Sequence, residues 1–449
     1  MTPNVLNFQQ TPYRLYRNRC YGRHCGDKLR RYARRGKGAT DMTMSRSRFQ
    51  LLTVMTIVAV MAAATPIASA APPSALKLVD PARLQAVVDA AAEDMLVPGA
   101  MVLLRTPQGE FVASVGTTEL GTQTPPATDT HFRIASNTKT MTAALIMLLV
   151  QDGKLSLADP ISAYVPGVPN GENITVAQLL KMRSGLYGYT FSPELAAALD
   201  ADPAKSWTPQ EVLALAFAHP PLFAPDAEYN YSNTNFVLLG LAAEQVGGAP
   251  LRVLFADRLF GPLGLTQTFM PAAADTALPL PYSHGYMYGG TAYALADEPY
   301  PPDLQAAARD GSLRPVDYTH QNPSYAAAAG GAVSTASDLA GWITALVSGR
   351  VLDTEHQQQF LNSPQAEDPG APDGQKYGYG IAYQRFGPKS GMYYHGGELP
   401  GFNSFMGYDP DNAVSLVVWT NLTLSPDSRT TANALLPTVL HEVYRELEF

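Results

Sequence analysis

The sequence predicts an α+β fold in which an antiparallel sheet, flanked by terminal helices, contains an inserted all-helical domain. Two strand patterns lie close together near residue 100, and four more occur after residue 376. Helical periodicity and helix caps dominate the stretch between these two groups. Strands at both ends with helices between them favour a single sheet that is closed by the terminal segments.

The first group of elements begins with a helix. Asp80 and Pro81 are an N-cap and a proline at the first helical position, and apolar residues then recur at helical spacing. Two strand candidates follow at residues 100–105 and 110–115, joined by a turn that contains Pro and Gly. A strongly apolar helix over about residues 141–150 then begins the predicted insertion.

The middle of the chain is predicted to be mostly helical. Thr175 is a candidate helix cap, Thr208 opens a capping box with Glu211, and a helix over about residues 234–246 stops at two glycines. Residues 281–302 are instead rich in Tyr, Gly and Pro. This segment is predicted to be either an ordered surface loop or a wall of the substrate site.

The last third of the chain returns to strands. A helix begins near Thr335, and an amphipathic helix covers about residues 430–447. Between them lie four predicted strands, at residues 377–383, 391–395, 402–408 and 413–420. Residues 71–449 therefore form one predicted domain, with its α/β part at about 80–135 and 325–449 and its helical part at about 136–324.

Residues 1–70 are predicted to be a basic leader. They carry 12 Lys and Arg against 2 Asp and Glu; since the whole chain has a net charge of −8, the remainder carries −18. Two arginines, a 14-residue apolar run and the small residues before Ala71 are typical of a signal peptide over about residues 42–70, cleaved after Ala70. We therefore expect a secreted protein, with an uncleaved N-terminal anchor as the alternative. Residues 1–41 are either a long n-region or not translated.

The composition of the predicted mature chain excludes several kinds of site. Both cysteines, Cys20 and Cys25, lie in the leader, which excludes disulfides, a thiolate nucleophile and cysteine metal ligands. The histidines form neither H-x-H nor H-E-x-x-H, and no G-x-S-x-G motif occurs. The acidic balance argues against nucleic acid as a partner. We expect no metal, no cofactor and no stable membrane span.

Ser136 and Lys139 form the most informative motif, S-x-x-K, at the start of the apolar helix. The two side chains lie one helical turn apart. A buried lysine at this spacing can take the serine proton, which gives a nucleophile without a histidine base. The alternative for Ser136 alone is a plain helix cap. A second such string, at Ser74 and Lys77, follows prolines without an apolar helix and is interpreted as a linker.

Two further motifs lie on predicted element boundaries. Tyr231-Ser232-Asn233 stands ahead of a helix, and His395-Gly396-Gly397 ends a strand. Taken singly, Tyr231 could anchor a helix start, Asn233 could cap it, and His395 could be a hydrogen-bonded sheet histidine. The three motifs together, in this order, favour one common site.

With these motifs the sequence resembles the penicillin-recognising serine hydrolases, which include exported DD-carboxypeptidases, class C β-lactamases and related esterases. Residues 174–189, 229–236 and 330–339 extend the resemblance over nearly the whole predicted mature chain. Tyr-Ser-Asn followed by His-x-Gly is most similar to the exported DD-peptidases. The resemblance implies a β-lactamase/DD-peptidase-like fold and an activity like that of D-alanyl-D-alanine carboxypeptidases. The implied partner is a small peptide, ester or β-lactam substrate, with cell-wall peptidoglycan as a candidate.

The resemblance also implies a catalytic role for three residues. Ser136 would attack a carbonyl to form an acyl-enzyme, and Lys139 would be its base or hold its proton. Tyr231 would relay that proton to the leaving group, with a pKa lowered by nearby cations.

A second set of residues is implied in substrate binding. Asn233 would orient Lys139 and bind the substrate amide, and His395 would supply positive charge or polarity. The backbone N–H groups of Ser136 and Glu398, next to Gly396 and Gly397, would form the oxyanion hole.

The sequence departs from the family pattern at two positions. Gly396 stands where related enzymes usually carry Thr or Ser, whose hydroxyl helps to hold a substrate carboxylate. Glu398 stands where Thr, Ser or Ala is common. Since a carboxylate at that position would repel a carboxylate-bearing peptide or β-lactam, we expect neutral esters or amides to be better substrates. An esterase or β-lactamase of the same family, and a binding protein that captures penicillin or peptidoglycan without turnover, remain as alternatives.

Overall fold

A computed structural model describes residues 75–296 and 298–448 of the 449-residue chain. The predicted leader over residues 1–70, with its signal peptide and its cleavage after Ala70, lies outside the described residues. Export of the protein therefore stays a prediction.

The strands of the described chain fall into one large sheet and two short pairs. They are β1 (Gly99–Thr106), β2 (Gly109–Gly116), β3 (Phe132–Arg133), β4 (Tyr286–Met287), β5 (Val316–Asp317), β6 (Val333–Ser334), β7 (Gln365–Ala366), β8 (Lys376–Tyr377), β9 (Ala382–Gly387), β10 (Ser390–Leu399), β11 (Phe402–Asp409) and β12 (Val414–Thr420). The large sheet is antiparallel and has the order β2-β1-β12-β11-β10-β9-β8-β7, while β3 pairs with β6 and β4 with β5.

Most of the helices lie between β3 and β7. They are α1 (Pro81–Asp94), α2 (Thr138–Gln151), α3 (Val176–Leu180), α4 (Pro193–Ala201), α5 (Pro209–Phe217), α6 (Asn233–Gly247), α7 (Leu251–Phe255), α8 (Gly261–Leu263), α9 (Ala292–Leu295), α10 (Pro302–Asp310), α11 (Ala327–Gly330), α12 (Ala336–Val347), α13 (Thr354–Leu361) and α14 (Thr431–Val443). No single helix among the described residues has the length and apolar character of a membrane span, although the bent pair 233–247 and 251–263 passes on those two criteria.

The sheet is closed by both ends of the described chain, as the sequence predicts. β1 pairs with β12 in a register that places Ala100 opposite Thr420. Every residue of β12 is buried, because α14 and α12 both pack against it. The predicted α+β architecture with an antiparallel sheet is thereby confirmed.

One predicted strand is interrupted. Residues 377–383 do not form one strand; β8 ends at Tyr377 and β9 begins at Ala382. Gly380 in the gap has a φ of +67°, and a methyl group there would approach Ala143 Cβ to 2.7 Å and Lys139 O to 3.0 Å. The chain bends here because it passes close to α2 at the turn that carries Lys139.

The helical region follows its sequence signals closely. The capping boxes at Thr175 and Thr208 are both formed, and Gly248, with a φ of +71°, caps the C-terminal end of α6. α2 has twelve buried residues, which makes it a central helix rather than an amphipathic surface helix.

The Tyr-rich segment 281–302 packs against the sheet rather than standing away from it. Tyr286 donates its backbone N–H to Gly401 O and Asn421 O, and α9 contacts β10. Tyr300 is buried. The segment is therefore ordered against the sheet, and its role as a wall of the substrate site stays a prediction.

Candidate active site

Ser136 lies in a short 3₁₀ turn, Ala135–Asn137, that leads directly into α2. Ala135 has a φ of +51°, a left-handed conformation that alanine adopts at a cost of about 1–2 kcal/mol. Asn137 Nδ2 donates to Ile134 O at 2.9 Å and to Ser404 Oγ at 2.8 Å. The amide of Asn137 therefore ties the strained turn to β11 and fixes the position of Ser136.

Lys139 lies one turn further along, with its amine beside the serine. Its Nζ is 2.8 Å from Ser136 Oγ and 2.7 Å from Ala329 O, and the side chain is fully buried. The Nζ also lies 4.8 Å from the ring centroid of Tyr231 and 5.7 Å from that of Phe236. Burial lowers the pKa of Lys139 well below its usual value. A neutral amine at this distance can accept the Ser136 proton.

Tyr231 completes the cluster from the chain just ahead of α6. Its hydroxyl is hydrogen-bonded to Ser136. Burial raises its pKa above the usual value; the hydrogen bond to Ser136 opposes this rise, and the charges of Glu367 and Glu398 add to it. The expected lowering of the Tyr231 pKa by cations is therefore wrong for the free enzyme, because burial of the hydroxyl is the largest influence on its pKa. Tyr231 is a proton donor in this state.

Asn233, the first residue of α6, does not orient Lys139 as expected. Its Nδ2 donates to Thr190 Oγ1 at 3.2 Å. Within the described residues, the hydrogen-bond partners of the Lys139 amine are Ser136 Oγ and Ala329 O. The carbonyl of α11 thus takes the positioning role, while binding of a substrate amide by Asn233 stays a prediction.

His395 on β10 is held as a neutral ring. Its Nδ1 is 2.6 Å from Gly396 O, and its Nε2 is 2.9 Å from the Tyr377 hydroxyl. Burial, with a further contribution from Lys139, lowers its pKa to about 3. The Nδ1–H therefore donates to Gly396 O, and Nε2 accepts from the Tyr377 O–H. Of the two expected contributions, polarity fits this environment and positive charge does not.

Gly397 packs directly on the nucleophile turn. A methyl group on Gly397 would lie 2.3 Å from Ile134 O and 2.9 Å from Asn137 Nδ2. On Gly396 the nearest atoms, Asn433 Oδ1 and Ser404 O, would be 3.7 Å away. Gly397 therefore makes the close approach of β10 to Ser136 sterically feasible, whereas a methyl group on Gly396 would make ordinary van der Waals contacts on the other face of the strand.

Glu398 belongs to the same strand face as Gly396, because side chains alternate along a strand. The residue is half-buried, and its negative charge contributes to the raised pKa values of Tyr231 and Tyr300. The roles of the Ser136 and Glu398 N–H groups as an oxyanion hole stay predictions.

Three groups in or behind this site carry no motif and were missed by sequence reasoning. They are the Ala329 carbonyl, the Tyr377 hydroxyl and the Glu367 carboxylate. Glu367 accepts from Gln375 Nε2 at 2.7 Å and is hydrogen-bonded to Tyr229, and burial raises its pKa to about 7. A backbone carbonyl leaves no trace in sequence, but the strand position of Tyr377 could have suggested that it lies beside His395. Within residues 75–296 and 298–448, no group of three or more His, Cys, Asp or Glu could hold a metal ion.

Comparison with known proteins agrees with the geometry. A family model described as Beta-lactamase matches residues 84–439. A D-stereospecific amidohydrolase from Streptomyces sp. is 30% identical and superposes with a TM-score of 0.68 over 80% of this chain and 97% of that one. A D-amino acid amidase from Ochrobactrum anthropi SV3, in complex with D-phenylalanine, is 28% identical with a TM-score of 0.67 over 80% and 98% of the two chains.

Curated relatives are matched over part of their length. Protein Rv1367c of Mycobacterium tuberculosis is 30% identical over 54% of this chain and 60% of its own. The putative penicillin-binding protein PbpX of Bacillus subtilis is 24% identical over 65% of this chain and 62% of its own. The chain thus spans about three fifths of the length of these relatives.

Proposed function

The chain belongs to the beta-lactamase family of penicillin-recognising serine hydrolases, and we propose that it is an amidohydrolase that forms an acyl-enzyme on Ser136. The observation that carries this proposal is the contact of 2.8 Å between Ser136 Oγ and the buried amine of Lys139. A lysine with a lowered pKa is the activating base that a serine nucleophile needs when no histidine is paired with it.

In the proposed acylation, Ser136 Oγ attacks the substrate carbonyl carbon while its proton passes to Lys139 Nζ. Tyr231, whose pKa is raised, donates its hydroxyl proton to the leaving amine, and the protonated Lys139 returns a proton to Tyr231. The C–N bond breaks, the amine leaves, and both side chains are neutral again. Water then attacks the ester by the same steps in reverse order.

We infer that small amides or esters of D-amino acids are better substrates than carboxylate-terminated D-Ala-D-Ala peptides. Two features support this: Glu398 brings negative charge near Tyr231, and Gly396 offers no hydroxyl for a substrate carboxylate. The similarity to two D-specific amidohydrolases, each covered over nearly its whole length, points in the same direction.

The first experiment is intact-protein mass spectrometry of the chain from Ala71, treated with a fluorophosphonate and, separately, with benzylpenicillin. We expect a fluorophosphonate adduct that is absent from Ser136→Ala. Hydrolysis of D- and L-phenylalanine amide and of a peptide ending in D-Ala-D-Ala then ranks the substrates. Failure of both reagents to label the wild-type protein would exclude the acyl-enzyme proposal, and a clear preference for the D-Ala-D-Ala peptide would exclude the amidase specificity.

A DD-carboxypeptidase-like activity, or capture of penicillin or peptidoglycan without turnover, is the second candidate. It is favoured by the similarity to a penicillin-binding protein from Bacillus halodurans, which is 25% identical with a TM-score of 0.63. A stable penicillin adduct would support it. Burst kinetics distinguish the carboxypeptidase from the binding protein, since a protein that captures its ligand without turnover releases only one equivalent of product.

We also propose that the protein is exported and cleaved after Ala70. The basic n-region, the apolar run and the small residues ahead of Ala71 support this proposal. N-terminal sequencing of the secreted product tests it, and a retained residue 42–70 segment in the membrane fraction would favour an anchor instead.

A further inference from the structure

The orientation of Tyr231 depends on side chains from other elements. Tyr231 lies in the irregular segment 229–232, ahead of α6, which has neither helical nor strand structure. Lys139 Nζ lies 4.8 Å from the centroid of its ring, and the ring centroids of Tyr377 and His395 lie 6.1 Å and 6.3 Å from it. Side chains of α2, β8 and β10 therefore surround the tyrosine that donates the proton to the leaving group.

Tyr377 and His395 both belong to the large sheet. Tyr377 ends β8 and is paired with Gln365 of β7 and Ala382 of β9. His395 lies in β10, opposite Met406 of β11. Both side chains are buried. Because paired strands fix both backbones, the two rings provide a rigid support for a tyrosine that comes from an irregular segment.

A hydrogen bond joins the two rings and defines the proton on each. His395 Nδ1 is 2.6 Å from Gly396 O, and since a carbonyl oxygen only accepts, Nδ1 carries a proton. The neutral Nε2 accepts from the Tyr377 hydroxyl at 2.9 Å. Burial raises the pKa of Tyr377 well above its usual value, so this hydroxyl keeps the proton that it donates. Both ring nitrogens of His395 are thus bonded within the protein, which fixes the plane of the imidazole.

Tyr377 also contacts the catalytic tyrosine directly. Its ring makes angles of 82° with the ring of Tyr231 and 78° with that of His395, which are edge-to-face arrangements. Tyr229 packs on the same ring, with centroids 5.8 Å apart. Loss of the Tyr377 hydroxyl would leave the imidazole, and with it one of the rings around Tyr231, without a fixed orientation.

We propose that Tyr377 is a positioning residue, whose hydroxyl holds the imidazole of His395 so that the two rings together orient the Tyr231 hydroxyl toward the leaving amine. This inference rests on the proposed acyl-enzyme function of Ser136 and adds a residue on which proton donation depends. Tyr377 then matters for substrates whose leaving group must receive a proton, and matters little for substrates whose leaving group departs as an anion.

The test compares two substrates with the same acyl group, D-phenylalanine p-nitroanilide and D-phenylalanine p-nitrophenyl ester. The leaving aniline needs a proton, whereas p-nitrophenolate leaves as a stable anion. In Tyr377→Phe, kcat/KM should fall by about 10-fold for the anilide and by less than about 3-fold for the ester, because only the anilide needs an accurately placed donor. The anilide-to-ester ratio is the readout, since a general loss of active protein cancels in it.

A double-mutant cycle with His395→Leu shows whether the hydroxyl acts through the imidazole. His395→Leu alone should lower the ratio by about the same factor as Tyr377→Phe, and it carries the test if Tyr377→Phe does not fold. Once the acceptor is gone, adding Tyr377→Phe should change the ratio by less than about 2-fold. Equal effects of Tyr377→Phe in the two backgrounds would contradict positioning through His395.

Tyr394→Phe is the matched control for the loss of a buried hydroxyl. Tyr394 precedes His395 on β10, so its side chain lies on the other face of the strand. Its hydroxyl donates to Gln375 Oε1 at 2.7 Å. Removal of this hydroxyl also leaves a buried acceptor without its donor, but we expect an unchanged anilide-to-ester ratio. Thermal unfolding of both variants verifies that they are folded.

The outcomes separate this inference from the function on which it rests. Three results overturn the positioning role alone when fluorophosphonate labels Ser136: an unchanged ratio in Tyr377→Phe, an equal fall in Tyr394→Phe, or no hydrolysis of the anilide by the wild-type protein. Absence of labelling in the wild-type protein overturns both. A fall of the ratio in Tyr377→Phe that disappears in the His395→Leu background, with normal labelling of Ser136, is the result we expect.

Discussion

The site has two sides that differ in how they are built: the catalytic cluster (Ser136, Lys139 and Tyr231) and the β10 segment (residues 395–398). The cluster is carried by a strained turn and two helix starts, and Lys139 and Tyr231 are each hydrogen-bonded to Ser136. The β10 segment combines Gly397, where a methyl group would lie 2.3 Å from Ile134 O, with Gly396, where a methyl group would make only van der Waals contacts at 3.7 Å. Departures from the family pattern fall on the β10 segment alone. The catalytic side chains and the departures from the family pattern thus lie on separate elements of this fold.

The largest expected effect comes from removing the amine of the catalytic cluster. Lys139→Met keeps apolar volume but removes the base, and we expect fluorophosphonate labelling of Ser136 to slow by about 10²–10⁴-fold. Lys181→Met is the matched control. Lys181 is half-buried and lies over the Tyr379 ring, and it takes no part in the proposed proton transfers. Labelling rates within a few-fold of each other in the two variants would contradict a base role for Lys139.

Substitution of the two glycines of the β10 segment should change the unfolding free energy by different amounts. Gly397→Ala places a methyl group 2.3 Å from Ile134 O, so we expect a loss of about 1–3 kcal/mol in unfolding free energy from overpacking. Displacement of the nucleophile turn should also lower kcat/KM by roughly 10²-fold. Gly396→Ala, whose methyl group would lie 3.7 Å from its nearest atoms, should leave the unfolding free energy within about 0.5 kcal/mol of wild type. Thermal unfolding of both variants is the measurement, and equal destabilisation would contradict the difference in packing.

A smaller effect is expected behind the site, at Glu367. Burial raises the pKa of its carboxyl from an ordinary 4.5 to about 7, so the folded state holds a proton that the unfolded chain releases. Stability is therefore lost as the pH rises from about 4.5 through 7. Glu367→Gln should raise the unfolding free energy at pH 8 by on the order of 1–2 kcal/mol, a value reduced for partial exposure of the group, and change it little at pH 4.5.

Chemical denaturation at the two pH values measures this difference. Glu93→Gln, at an exposed position of α1, serves as the control for the loss of a surface carboxylate. A gain of equal size at both pH values would mean that the carboxyl of Glu367 does not titrate in the folded protein.

The smallest effect concerns the shape of the pH–rate profile. Activity should rise with pH as Lys139 loses its proton, because the neutral amine is the base, and it should not fall again below about pH 10, since the pKa of Tyr231 is raised. His395, with a pKa of about 3, should add no step near pH 6.5. We expect His395→Gln to change the level of kcat/KM between pH 5 and 9 but not the midpoint of its acid limb. A step near pH 6.5 that this substitution removes would show that His395 titrates during turnover.

The sequence predicted the fold class because its signals are local. Short-range propensity and periodicity predict the helix caps at Thr175 and Thr208 and the helix end at Gly248. They also predict the strands β1, β2 and β12. The S-x-x-K motif is equally local, since a helical turn by itself brings Lys139 to Ser136.

The tertiary structure alone decided the contacts between segments that lie far apart in the chain. The Ala329 carbonyl replaces Asn233 as the partner of Lys139, and it lies 190 residues away. Burial by the assembled helices and sheet lowers the pKa values of Lys139 and His395 and raises the pKa of Tyr231. For Tyr231 this shift is opposite to the lowering that was expected. Local sequence determines which elements form, whereas desolvation and long-range contact depend on how those elements pack, and the charge states at the site depend on that packing.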